Sequence, residues 1–274
     1  MIFRLSFYAF CCFMLSAVVS AQDIRLTTVD NIKLEYIDIG AGDYTLLVES
    51  GVGMGVDYWQ PLLADLAKLN VRTIVYSRAG NGQSGSVDDI SLQASNRRLA
   101  LLLQTIKADN EKLILLGHSF GALHARTFAA SHPEKVAGMV LLDPSHEGFQ
   151  NALSALDKDW ADRDNSRLNK MLQQQPEWQQ LQQLYQHNAL ADGDITQMLP
   201  AVLVTSSRLN ESNWWIGHSP QGKKVWRQLH ASLINKNPNA VHFVTDKTGH
   251  NVPLDDKALV LKVIDTMLFM LSAG

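Results

Sequence analysis

The chain has 274 residues, 46% of them apolar and 19% charged, with a net charge of −3. That length and balance fit an ordinary globular protein with room for one large domain and an insertion. No run of Lys or Arg is long enough to form a phosphate-binding stripe, so nucleic acid is excluded as an expected partner.

The chain opens with a short segment, Met1 to Arg4, carrying one positive charge, followed by an apolar run from Leu5 to Val19. Val19-Ser20-Ala21 then places small residues where a signal peptidase reads. Residues 1–21 are therefore expected to be a secretory signal cleaved after Ala21, giving a periplasmic or secreted protein. The alternative is an uncleaved N-terminal membrane anchor, but the run falls short of the ~20 residues a spanning helix needs. No stable membrane span is expected after cleavage. Both cysteines, Cys11 and Cys12, fall inside this segment. The remaining chain then has no disulfide, no thiolate nucleophile and no cysteine–metal site.

Ile24 to Leu26 and Ile32 to Ile39 alternate apolar and polar residues around Asp30-Asn31, which predicts an antiparallel hairpin at a sheet edge. Tyr44 to Val48 predicts a more continuously apolar strand ending in Gly51-Val52-Gly53-Met54-Gly55. Tyr58 to Leu69 has helical spacing. Val71 to Tyr76 reads as a strand leading into a loop, Ser77 to Ser84, expected to pack beside the site without a catalytic role. Ser91 to Ile106 reads as an amphipathic helix. Lys112 to Leu116, Val136 to Leu142, Ala201 to Thr205 and Val241 to Val244 are further strands. Ala122 to Ala130 is the helix after the first of these, and Lys257 to Leu271 is a closing helix. Short apolar strands alternating with helices argue for an α/β architecture, a mostly parallel sheet with helices on both faces.

Residues 149–199 break this rhythm. The segment is rich in Gln and Leu, contains no strand pattern, and carries Trp160 and Trp178. It reads as a helical insertion, with residues 22–148 and 200–274 forming the core. Trp160, Trp178, Trp214 and Trp215 either line an apolar pocket or hold the insertion down.

Between the Lys112–Leu116 strand and the Ala122–Ala130 helix lies Gly117-His118-Ser119-Phe120-Gly121, a G-x-S-x-G sequence. A serine at a strand–turn–helix junction is held on a tight turn with its hydroxyl above the sheet edge, and the glycines avoid collision with neighbouring backbone. Ser119 is thus the candidate nucleophile. A hydroxyl needs a base, and the base needs an acid to orient it. His250, in the loop between the last strand and the closing helix, is the candidate base, with His146 as a rival at another strand end. Asp143, ending Val140-Leu141-Leu142-Asp143-Pro144, is the candidate acid. Glu211, the only carboxylate just after the Ala201–Thr205 strand, is the alternative. The oxyanion needs two backbone donors. The amide of Phe120, at a helix N-terminus, and the amide of Val52, in the glycine turn, are the candidates. No metal-ligand spacing and no nucleotide-cradling motif is present, so no metal and no cofactor is expected.

Taken together, these motifs resemble the α/β-hydrolase superfamily over nearly the whole of the chain after residue 21. The serine elbow, Arg78-Ala79-Gly80-Asn81-Gly82, His132-Pro133-Glu134, Leu142-Asp143-Pro144 and Gly249-His250 fall in that family's order. The resemblance implies an eight-stranded sheet, a helical cap over the site, and hydrolysis of an ester, amide or related bond through an acyl-enzyme. The chain departs from the common pattern in three places. Ser50-Gly51 stands where many members have His-Gly, Ser77-Arg78 where many have Asp-Arg, and the usual aspartate after the penultimate strand is missing. Some members place the acid one strand earlier, in a Leu-Asp-Pro context like that of Asp143. The expected function is an exported serine hydrolase acting on a small-molecule acyl substrate. An aminopeptidase-like amide hydrolase, an acyltransferase and a non-catalytic ligand-binding protein on the same fold are the alternatives.

Overall fold

Eight strands form one sheet, in the order β1-β2-β4-β3-β5-β6-β7-β8, in a computed structural model describing residues 24–109, 111–190, 194–209 and 214–272. The expected signal segment and both cysteines lie outside the described residues. Strands β1 (Arg25–Val29) and β2 (Ile32–Ile39) form the expected edge hairpin. Asp30 and Asn31 both take positive φ, 51° and 64°, as a type I′ turn requires. Strand β2 runs antiparallel to β4 (Arg72–Tyr76). The remaining neighbours are parallel: β4 with β3 (Tyr44–Glu49), β3 with β5 (Lys112–His118), then β6 (Val136–Leu142), β7 (Ala201–Ser206) and β8 (Ala240–Thr245).

Parallel strands buried on both faces read as continuous apolar runs, because alternate residues feed two separate cores. In β5, Leu113 and Leu115 pack on one face with Leu99 and Leu102 of α2 (Leu92–Thr105) and Phe128 of α3 (Gly121–Ser131). Ile114 and Leu116 pack on the other with Trp59 and Leu62 of α1 (Val56–Leu66) and with Val263 and Met267 of the closing helix. A third apolar cluster lies above the sheet's C-terminal edge. It joins Phe120 and Leu123 to Phe149 and Leu153 of α4 (Phe149–Leu156) and Leu181 of α6 (Pro176–His187).

Between β6 and β7 the chain forms α4, α5 (Lys158–Leu172) and α6. Helix α7 (Pro220–Ile234) between β7 and β8 has no counterpart in the sequence reading. Its start signal is nonetheless present: Ser219 Oγ accepts from the Gly222 amide, and Pro220 occupies the first turn. Helices α8 (Val252–Asp255) and α9 (Lys257–Ser272) complete the described chain. None of the described helices is long and apolar enough to cross a membrane.

Candidate active site

Parallel strands deliver their C-terminal ends to one edge, and the candidate residues sit on the loops that leave it. Ser119 follows β5 in a left-handed conformation, φ 54°. A Cβ on Gly117 would lie 2.6 Å from Ala122 Cα, and one on Gly121 would collide with the Glu49 carbonyl oxygen. Both contacts are with backbone, so no side-chain motion relieves them, which accounts for the two glycines of the motif. The turn is closed by the Ser119 amide donating to Leu142 O at 3.2 Å and the Ser145 amide donating to Ser119 O at 2.9 Å.

His250 bridges the serine and an acid. Its Nε2 lies 2.8 Å from Ser119 Oγ and its Nδ1 2.7 Å from Asp143 Oδ2. The tautomer protonated at Nδ1 satisfies both contacts, donating to Asp143 and accepting from Ser119. Two further groups fix the loop. The His250 carbonyl accepts from His118 Nε2 at 2.8 Å, and the Thr248 carbonyl accepts from Ser206 Oγ at 2.6 Å. His118 is buried and stacked on Tyr58, and burial, reinforced by His250, lowers its pKa to about 3. It therefore stays neutral beside His250. The rival His146 is engaged elsewhere, with its Nδ1 accepting from the Gly148 amide at 3.0 Å.

Asp143 follows β6 with φ 42° and is 1% exposed. While Oδ2 faces His250, Oδ1 accepts from the Ser206 amide and from Trp226 Nε1, each at 2.8 Å. Burial pushes this carboxyl upward, but the hydrogen bond and charge of His250, then the charges of His230 and Lys223, outweigh it and hold the pKa at about 2. The position after the penultimate strand that lacks an aspartate thus supplies an amide to the aspartate of the neighbouring strand. Trp226, carried by α7, has no precedent in the sequence reading; the Ser219-Pro220 helix start would have pointed to its element. Glu211, the alternative acid, lies outside the described residues.

The turn after β3 carries Gly51 and Val52. Among the described residues, neither the Val52 amide nor the Phe120 amide has a hydrogen-bond acceptor. Both departures before these motifs have structural partners. Ser50 Oγ accepts from Trp59 Nε1 at 2.9 Å, and Ser77 Oγ accepts from the Val56 amide at 3.0 Å. A cavity of about 330 Å³ opens over Ser119 and His250 and reaches Val52. Its walls are mostly aromatic and aliphatic. Trp178, Trp214 and Trp215 line it, as does Trp226, whereas Trp160 does not. No cluster of potential metal ligands occurs among the described residues.

The family pattern of the alpha/beta hydrolase fold matches residues 44–170, from β3 to α5. YqjL of Bacillus subtilis, an uncharacterized protein, is 31% identical over 108 residues, which cover 39% of this chain and 42% of that one. A 2-hydroxy-6-oxononadienedioate/2-hydroxy-6-oxononatrienedioate hydrolase of Paraburkholderia phymatum is 31% identical over 116 residues, 40% of each chain. The chain thus spans about two fifths of the length of the curated relatives it matches. Among solved structures, a membrane phospholipase A described as a bacterial virulence factor superposes with a TM-score of 0.66 at 18% identity. That match covers 93% of this chain and 88% of the other. At that identity the fold alone is shared.

Proposed function

Given that the chain belongs to the α/β-hydrolase superfamily, we propose that it is a serine hydrolase cleaving a carboxylic ester of an apolar small-molecule substrate through an acyl-enzyme. The observation that carries this reading is the unbroken hydrogen-bonded series Asp143–His250–Ser119, ending at the floor of an apolar cavity. Ser119 Oγ attacks the ester carbonyl as its proton passes to His250 Nε2, and Asp143 stabilises the imidazolium and holds its orientation. The oxyanion is received by the amides of Phe120 and Val52. His250 then protonates the departing alcohol, and a water activated by the same nitrogen releases the acid. Helices α4 to α6 act as the cap that keeps the acyl group dry. The apolar N-terminal run and Val19-Ser20-Ala21 support export with cleavage after Ala21.

The test is hydrolysis of a p-nitrophenyl ester by the purified protein. Ser119→Ala is expected to lower turnover by at least ~10³-fold and to abolish labelling by a fluorophosphonate probe. Turnover retained in Ser119→Ala would overturn the mechanism. Absence of both labelling and turnover in the wild type would favour the ligand-binding alternative.

A further inference from the structure

Above the Val52 turn lies a buried ionic network that the mechanism does not use. Arg78, just after β4, is 3% exposed and commits all five of its N–H donors. Nη1 donates to Glu49 Oε2 at 2.9 Å and to the Ser50 carbonyl at 2.8 Å. Nη2 donates to the Gly51 carbonyl at 3.0 Å and to Glu177 Oε2 at 2.9 Å. Nε donates to Glu177 Oε1 at 2.7 Å. Glu177 stands in the first turn of α6, in the inserted helices, and is 5% exposed. Its carboxylate also accepts from Asn81 Nδ2 and from the Gly53 amide, each at 2.8 Å.

These contacts grip the two peptide units on either side of Val52 Cα. In a trans peptide the C=O and the N–H point in opposite directions. Arg78 on the Gly51 carbonyl therefore sets the direction of the Val52 N–H. Glu177 on the Gly53 N–H sets the direction of the Val52 carbonyl. With both planes held, the Val52 amide cannot rotate away from the position at which it meets an oxyanion. The guanidinium on the Gly51 carbonyl also polarises that peptide and strengthens the Val52 N–H as a donor.

We infer that Glu177, through Arg78 and the Gly53 amide, is a positioning residue for the oxyanion donor Val52, so that docking of α6 completes the catalytic site. This rests on the serine-hydrolase reading above. The helix that walls the substrate cavity also supplies the carboxylate that orients the turn, which couples acyl-group binding to catalytic geometry.

Glu177→Gln and Arg78→Lys test it, with circular dichroism confirming the fold of each. Both are expected to lower kcat on a p-nitrophenyl ester by ~10- to 100-fold, approaching the effect of losing an oxyanion donor. KM should stay within ~3-fold, since ground-state binding is untouched. The inhibition constant of a trifluoromethyl ketone, whose hemiketal oxygen needs the same donor, should rise by the factor lost in kcat/KM. Arg78→Lys keeps the buried positive charge and decides the matter should Glu177→Gln not fold. A folded variant with kcat within ~3-fold of wild type, or with its whole loss in KM, overturns the inference. A wild type without turnover would remove the functional reading and this inference with it; an active wild type with equally active variants would remove this inference alone.

Discussion

Asp143 divides its two oxygens between two duties. Oδ2 faces His250, while Oδ1 is held by the Ser206 amide and Trp226 Nε1, so the carboxylate cannot rotate without breaking a buried bond. With its pKa near 2, it remains ionised wherever His250 would serve as a base. In the proposed mechanism this orientation keeps the Nδ1–H tautomer. Asp143→Asn would present an amide that stabilises the wrong tautomer, with an expected loss in kcat of ~10³- to 10⁴-fold. Glu211→Gln is expected to leave kcat within ~2-fold, because Asp143 already meets His250 Nδ1. Ester-hydrolysis kinetics on the two variants decide between the acids, and a larger loss in Glu211→Gln would reverse the assignment.

At the scale of elements, the decisive unit is the junction of β5 and α3. The serine is forced into a left-handed conformation, and the chain on both sides approaches other backbone too closely for any side chain. Such strain is tolerated because the surrounding sheet and helix hold it. Gly121→Ala would press a methyl group against the Glu49 and Ser50 carbonyls, which belong to the strand leading into the Val52 turn. The expected cost is ~1–3 kcal/mol or more, as for overpacking in a rigid core. It should appear as a lowered midpoint of thermal unfolding. An unchanged midpoint would show that β3 can yield at this point.

Over the whole molecule, the site is assembled from the ends of β3, β5, β6 and β8, with α6 and α7 closing over it. The cavity left between sheet edge and helices is mostly apolar, so its contribution to a substrate is hydrophobic burial. Each methylene buried on going from an acetate to a longer p-nitrophenyl ester should raise kcat/KM by about 4-fold, from ~0.8 kcal/mol per CH₂. The rise should end when the cavity of about 330 Å³ is filled. A series measured across acyl lengths checks this, and a flat profile would argue that the acyl group lies elsewhere.

What was legible in the sequence was local. The α/β architecture, a mostly parallel sheet with helices on both faces, follows from short apolar runs and helical spacing, because a parallel strand buried on both faces reads as a continuous apolar run. Its count of eight strands is what the family resemblance implies. The serine elbow is legible because a positive φ and two close backbone approaches demand glycine at fixed positions. Ser119, Asp143 and His250 are recognisable as candidates because each follows a strand. Their meeting is a tertiary fact: His250 reaches across 131 residues to Ser119 and 107 to Asp143. The choice of Asp143 as His250's partner, the support from Trp226, the membership of the cavity wall, and the pairing of Arg78 with Glu177 across 99 residues carry no sequence period at all. They depend on where helices dock against one edge of a sheet, and only the packed structure sets that distance and direction.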